Sequence, residues 1–339
     1  MFDTKMLSSD EGSIIEAVRL LKSGEVVGIP TETVYGLGAN ALDESAVRKI
    51  FKAKGRPADN PLIVHICDME MIKPLVTNIP ELAYRCAENF WAGPLTMILP
   101  KADIIPDVTS GGLDTVGIRM PSHKTAKEVI KKCGFPIAAP SANLSGSPSP
   151  TTAEHVFNDM NGRIPAIING GFSAVGVEST VISFENDAIR ILRPGFISAE
   201  DLSEITQNII IDKGVVEKIS NRSVVRSPGM KYKHYAPKAD ITIIDSSLEA
   251  FKAYIAKHKT QDCVCMAFDE SDCDGLGVKT VCYGNTDEQQ AHLLFDKLRE
   301  LDVIGAKKVY ARCPNKKGVG LAVYNRLLRA AAFQVVTLE

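Results

Sequence analysis

An excess of positive charge is missing from this chain. Its 39 lysines and arginines are balanced by 41 acidic residues over 339 positions, a formal net charge of −2. No global field draws in RNA or an anionic membrane, so nucleic-acid contact has to come from a local patch. None of the eight cysteines forms a C-x-x-C pair, which argues against a zinc site. Several, such as Cys263 and Cys265, lie in apolar runs and read as reduced thiols acting as small hydrophobes. No apolar run approaches the roughly 20 residues needed to span a bilayer. Residues 1–12 are polar and acidic, without the apolar stretch of a secretory signal, so the cytoplasm is the expected location and no membrane partner is expected. No G-x-x-x-x-G-K-[ST] occurs, which excludes P-loop chemistry.

The rest of the composition is that of a globular enzyme: 45% apolar and 24% charged residues. Single domains usually run to roughly 100–200 residues, so two are expected. Ile14, Ile15, Val18 and Leu21 repeat at helical spacing and predict a helix over 12–22 that Gly24 ends. A buried strand follows over 26–29, then a helix over 43–53 with Asp43 as N-cap. Further strands read at 62–66, 95–99, 115–118, 137–139, 166–168, 180–183 and 189–192, with helices at 79–90, 124–133 and 151–160. Strands and helices mix without strict alternation, which predicts an α/β domain built on a mixed sheet over 8–195. Residues 196–238 read as a linker with one short helix near 199–205. From 239 to 339 a cleaner β–α alternation predicts a second, smaller Rossmann-like domain.

Polar residues gather where strands end. The stretch 30–41, PTETVYGLGANA, reads as a polar turn whose amides could face a ligand. It also fits G-x-G-x-x-A, but the acidic residue that a dinucleotide site needs at the end of the next strand is misplaced, since Asp59 precedes that strand. Lys54 and Arg56 lie at i, i+2, held by Gly55 and Pro57, and either clamp an anion or form a solvated basic loop. His65 lies in an apolar strand and reads more readily as a core residue than as a ligand. Arg119 closes a strand, where it either grips a carboxylate or phosphate or pairs with a core-edge acid. Residues 138–149 carry four serines and Asn143 just after a buried strand. Helix capping accounts for one serine, whereas a loop that cradles phosphates accounts for all of them. Near 227–237, Lys231, Tyr232, Lys233, His234 and Tyr235 cluster between prolines, which suits a lid with a fixed docked position better than a tether.

These segments resemble the threonylcarbamoyl-AMP synthase family in its long form, a YrdC-like domain joined to a Rossmann-like one. The resemblance rests on PTETVYGLGANA (30–41), KGRP (54–57), NPLIVHI (60–66), WAGPLT (91–96), VGIRMPSH (116–123), AAPSANLSGSPSPTTAEHV (138–156), GVESTVI (176–182), ILRPG (191–195) and SPGMKYKHYAP (227–237). Beyond 238 it rests on length and pattern. It implies a YrdC-like twisted mixed sheet, and a reaction of L-threonine, bicarbonate and ATP that gives threonylcarbamoyl-AMP and pyrophosphate. A downstream transferase would then act on tRNA. By position it implies a threonine pocket of Thr33, His65, Arg119, Ala139 and Ser179. ATP would meet Arg56, Asn60, Thr115, Ser141, Asn143, Ser149, Arg193, His234 and Tyr235. Lys54 and Arg56 would stabilise charge at the reacting centre, and Mg²⁺ would arrive on the ATP phosphates with no protein cage. Two other readings stay open: a double-stranded RNA-binding module without catalysis, or a carbamoyl-adenylate-forming transferase. Weak RNA binding could also accompany the enzyme.

Overall fold

The computed structural model describes residues 1–57, 60–215, 217 and 235–338. In chain order the first sheet takes β1 (Lys5–Leu7), β2 (Val27–Ile29), β3 (Gly36–Asn40), β4 (Ile63–His65), β5 (Leu95–Pro100) and β6 (Thr115–Arg119). It continues with β7 (Ile137–Ala138), β8 (Ala166–Ile168), β9 (Thr180–Glu185), β10 (Ala188–Arg193) and β11 (Ile209–Ile211). These eleven strands lie in the order β1-β8-β2-β3-β7-β4-β6-β5-β9-β10-β11. Parallel and antiparallel neighbours alternate irregularly along it, the mixed sheet that the sequence predicts.

The helices of this part are α1 (Glu11–Lys22), α2 (Glu44–Lys54), α3 (Glu81–Phe90), α4 (Asp107–Ser110), α5 (Lys124–Cys133), α6 (Ala153–Met160) and α7 (Ala199–Ser203). Local chemistry sets their ends. Asp10 caps α1 by accepting from the Ser13 N–H, and Asp43 caps α2 by accepting from Ser45 and Ala46. Gly55 ends α2 in the left-handed region at φ 64°, which costs a glycine little. One apolar cluster lies between the sheet and α2, α3 and α6, and a second fills the other face beneath α1 and α5.

The second sheet takes β12 (Asp240–Asp245), β13 (Cys263–Ala267), β14 (Lys279–Cys282), β15 (Lys308–Arg312) and β16 (Val335–Thr337), with helices α8 (Leu248–His258), α9 (Asp287–Val303) and α10 (Gly318–Ala330). Its order is β14-β13-β15-β12-β16 and every pairing is parallel. Apolar clusters cover both faces, as a parallel sheet requires. Among the described residues no helix is long and apolar enough to cross a membrane.

Three stretches differ from the sequence reading. The glycines of 36–40 form a strand, not a ligand-facing turn. At Gly38 a Cβ would stand 2.4 Å from Ile29 Cδ1, and at Gly36 one would stand 3.0 Å from the Ala139 Cβ, so these glycines allow close strand packing. The polar turn is confined to 31–35. Residues 196–211, read as linker, carry the expected short helix as α7, but also β11, which adds to β10 in parallel. The polar start of the chain supplies β1, which pairs with β8. Short edge strands such as β1 and β11 bury little, so their sequences carry weak hydrophobic patterning.

Candidate active site

Strand register brings the polar groups together. His65 ends β4 opposite Arg119 of β6, and Thr96 of β5 faces Arg119 from the other side. Ser179, one residue before β9, shares a 2.8 Å hydrogen bond between its hydroxyl and that of Thr96. The 31–35 turn closes over this end of the sheet, held by the Thr31 hydroxyl donating to the Val34 carbonyl at 2.6 Å. Between the turn, these strand ends and the 139–146 loop lies an open cavity. Thr33, Lys54, Arg56, His65, Arg119, Ala139, Ser141, Asn143, Ser179, Arg193 and Tyr235 line it.

Three of the expected site residues, Thr115, Ser149 and Asn60, stand off the described cavity wall. Thr115 begins β6 at the end opposite Arg119, roughly 13 Å away at strand rise, and is not on the described cavity wall. Ser149 is fully buried and donates to Glu178 Oε1 at 2.5 Å, so it reaches the cavity through Glu178. Asn60 is also fully buried and off the wall, with neither side-chain polar atom paired among the described residues. His234 lies outside the described residues. Its neighbour Tyr235 is buried, lines the cavity and packs on Phe295 with ring centroids 5.2 Å apart. The Ala236 N–H donates to the Gly146 carbonyl at 3.0 Å, so the chain after 234 is docked on the 139–146 loop.

Arg119 is almost wholly buried and does not wait unpaired for a ligand. It donates to Glu32 Oε1 at 2.6 Å, the Thr33 hydroxyl at 2.9 Å and the Gly93 carbonyl at 3.3 Å. Burial pushes the Glu32 carboxyl upward, but the Arg119 charge and hydrogen bond outweigh it and hold Glu32 below the ordinary carboxylate range. Burial, reinforced by the Arg119 charge, drives the His65 imidazole down to about 3. His65 is therefore neutral at physiological pH, and its Nδ1 has no partner among the described residues. Arg193 donates to the Ser179 carbonyl at 3.1 and 2.9 Å and to the Ser179 hydroxyl at 3.1 Å. Burial lowers Arg193 to about 10, which leaves it protonated.

Lys54 lines the cavity with its ammonium already held by protein acceptors. Its ammonium donates to the Ser141 carbonyl, to the Asn143 carbonyl at 2.8 Å and to Asn143 Oδ1 at 3.3 Å. Burial and then the Arg56 charge pull it well below an ordinary lysine. Three acceptors around one nitrogen nevertheless match the three donors of an ammonium, which is the form this geometry holds. Asn143 in turn donates to the Leu144 and Ser147 carbonyls, each at 2.8 Å, and accepts from the Ser141 hydroxyl at 2.5 Å. Lys54 thus shapes the serine-rich loop. Orphaned buried acceptors cost about 1–3 kcal/mol each, so Lys54→Met is expected to lower the melting temperature and raise the ATP KM together. Normal stability and ATP KM with a collapsed kcat would return Lys54 to the reacting centre.

His65 also gives a pH prediction. Its folded value lies below its unfolded one, so it contributes stability fully above about pH 6.5 and loses it as pH falls toward 3. His65→Asn should flatten the acid side of the stability curve by up to about 1.4 kcal/mol per pH unit between pH 6 and 4.5. Parallel denaturant titrations of both proteins check this, and identical slopes would mean that His65 titrates normally.

A family model described as "Telomere recombination" matches residues 19–195, and one described as "Threonylcarbamoyl-AMP synthase, C-terminal domain" matches residues 197–332. The threonylcarbamoyl-AMP synthase of Pyrococcus abyssi is 44% identical over 331 residues, 96% of each chain. This chain belongs to the threonylcarbamoyl-AMP synthase family. The Bacillus subtilis threonylcarbamoyl-AMP synthase is likewise 44% identical, over 98% of this chain and 97% of its own. The solved structure of P. abyssi Sua5 complexed with L-threonine superposes with a TM-score of 0.93 at 42% identity, covering 99% of this chain and 100% of that one. The family makes the chain a transferase that forms an adenylate.

Within this threonylcarbamoyl-AMP synthase fold, two carboxylates were not legible as site residues. Glu32 sits inside the matched 30–41 segment and Glu178 inside 176–182, but nothing in either segment shows which arginine each one faces. Burial raises Glu178, and the Arg326 and Arg193 charges with the Ser149 hydrogen bond outweigh that, so it stays below the ordinary range.

Proposed function

We propose that the cavity binds L-threonine at its Arg119 end and ATP along the 141–146 loop, and joins them through a carbamate. The observation that carries this reading is the set of cations around one cavity: buried Arg119 with Thr33 and neutral His65, Arg193 held on Ser179, and Arg56 near Lys54 and the serine loop. Arg119 would take the threonine carboxylate. Thr33, His65 and Ser179, with Ala139, would form the pocket for its hydroxyl and methyl groups. The threonine amine adds to CO₂ derived from bicarbonate and loses a proton, giving a carbamate. A carbamate oxygen attacks the α-phosphorus of ATP, the bond to the β-phosphate bridging oxygen breaks, and pyrophosphate leaves. Arg56 and Arg193 would stabilise charge on the phosphates, while Ser141, Asn143 and Tyr235 would position the nucleotide.

Mg²⁺ fits this site as a companion of the nucleotide. The cavity carboxylate Glu178 is occupied by Ser149 and Arg326, so phosphate oxygens and water would supply the ligands. When bound, the ion neutralises charge on the phosphates. The product would pass to a transferase that places the threonylcarbamoyl group on a tRNA adenosine next to the anticodon.

Substrate choice tests the reading. Thr33, His65 and Ser179 offer more polar atoms than a carboxylate needs, and each one left unpaired costs about 1–3 kcal/mol. Valine should therefore support far less pyrophosphate release than threonine, measured with each amino acid with and without bicarbonate. Equal release with valine would remove the hydroxyl from the recognition.

A further inference from the structure

Arg326 is the largest fully buried side chain of the molecule's described residues, and it belongs to α10 of the parallel-sheet domain. A guanidinium removed from water costs several kcal/mol unless it is paired and fully hydrogen-bonded. Here the pairing lies across the domain boundary. Nε donates to Glu178 Oε2 at 3.0 Å, Nη2 to the Glu178 carbonyl at 3.3 Å, and Nη1 to the Pro194 carbonyl. The other Glu178 oxygen accepts from Ser149. One side chain of the second domain therefore ties down two segments, 178–179 and 193–194, that carry cavity residues Glu178, Ser179 and Arg193.

The rest of the interface reinforces that grip. Asn325 Nδ2 donates to the Val215 carbonyl at 2.5 Å and Arg329 to the Gly214 carbonyl at 3.0 Å. From α9, the His292 carbonyl lies against Gly176, where a Cβ would stand 2.4 Å from it, so the 176–179 segment is pressed from α9 as well as α10. The charge pattern decides what Arg326 does. Glu178 is buried and ionised between two arginines, Arg326 and Arg193. Arg326 satisfies it from behind, and Arg193 keeps its hydrogen bonds to Ser179. With Arg326 gone, the nearest charge to Glu178 would be Arg193, drawn away from Ser179 and from the nucleotide end of the cavity.

We propose that Arg326 is a positioning residue of the active site: by neutralising Glu178 from the second domain, it holds Arg193 and Ser149 in the arrangement that receives ATP. The inference rests on the proposed placement of ATP beside Arg193. Arg326→Met should raise the ATP KM by about tenfold or more, with a smaller fall in kcat, because a buried carboxylate has lost its partner. Adding Glu178→Gln should bring the ATP KM back to within about threefold of wild type, since the orphaned charge is then removed. A merely structural role predicts a lower melting temperature for Arg326→Met, a wild-type ATP KM below that temperature, and no rescue by Glu178→Gln. That result would overturn the proposal. If Arg326→Met does not fold, Arg326→Lys is read instead. Lysine keeps the charge but cannot span Glu178 and Pro194 together, so a severalfold rise in ATP KM is expected, and a wild-type value contradicts the idea. Calorimetric ATP binding to the wild-type protein separates the two levels. Binding without threonine-dependent turnover would count against the proposed function, whereas normal turnover with an unaltered Arg326→Met KM would count against this inference alone.

Discussion

Arg119→Ala is expected to abolish threonine-dependent pyrophosphate release and to destabilise the protein at the same time. The side chain is 5% exposed and pairs with Glu32, itself 8% exposed, at 2.6 Å. Removing one partner of such a pair costs about 3–5 kcal/mol, because the other charge stays buried and alone. The double variant Arg119→Ala/Glu32→Gln should recover most of that stability, since the orphaned carboxylate is gone. It should not recover threonine binding, because the cation that would hold the substrate carboxylate is still missing. Thermal melts and threonine calorimetry on both variants check this. A double variant that binds threonine normally would move the carboxylate site elsewhere in the cavity.

Arg56→Ala should lose turnover by about 10²–10³-fold, the usual effect of deleting one charge-stabilising donor at a reacting centre. Arg56 lines the same cavity as Lys54, whose ammonium is held by the Ser141 and Asn143 carbonyls. Arg56 follows the left-handed Gly55 that ends α2 and is only partly buried, so its loss should leave the melting temperature nearly unchanged. Steady-state pyrophosphate release and circular dichroism on the same preparation provide the check. Near-normal turnover would return this loop to a solvated basic turn.

Much of this site was visible in the sequence because its residues sit at the ends of strands whose apolar cores are plain to read. His65 lies near the end of the run at 62–66 and Arg119 just after that at 115–118, and the register of β4 with β6 then sets them side by side. The serine-rich loop stood out because capping could not account for so many hydroxyls. What the sequence hides is partnership. Glu32 reads as one polar residue in a turn, and only the fold shows that it faces Arg119. Lys54 reads as an anion clamp or a solvated cation, and only the fold shows three acceptors from residues nearly ninety positions later around it. Nothing in the sequence singles out Arg326, and its burial arises only where α10 docks on the first domain. The short edge strands β1 and β11 were missed for a related reason, since strands of three residues carry too few positions to show a period.

The central claim is that one cavity joins threonine, bicarbonate and ATP. Incubating the purified full chain with ATP, Mg²⁺, L-threonine and ¹³C-bicarbonate, followed immediately by mass spectrometry, tests it most directly. The account predicts an adduct of AMP and threonine that carries one ¹³C, formed with an equal amount of pyrophosphate and lost when either threonine or bicarbonate is left out. Pyrophosphate release that continues unchanged without threonine, with no labelled adduct, would contradict it.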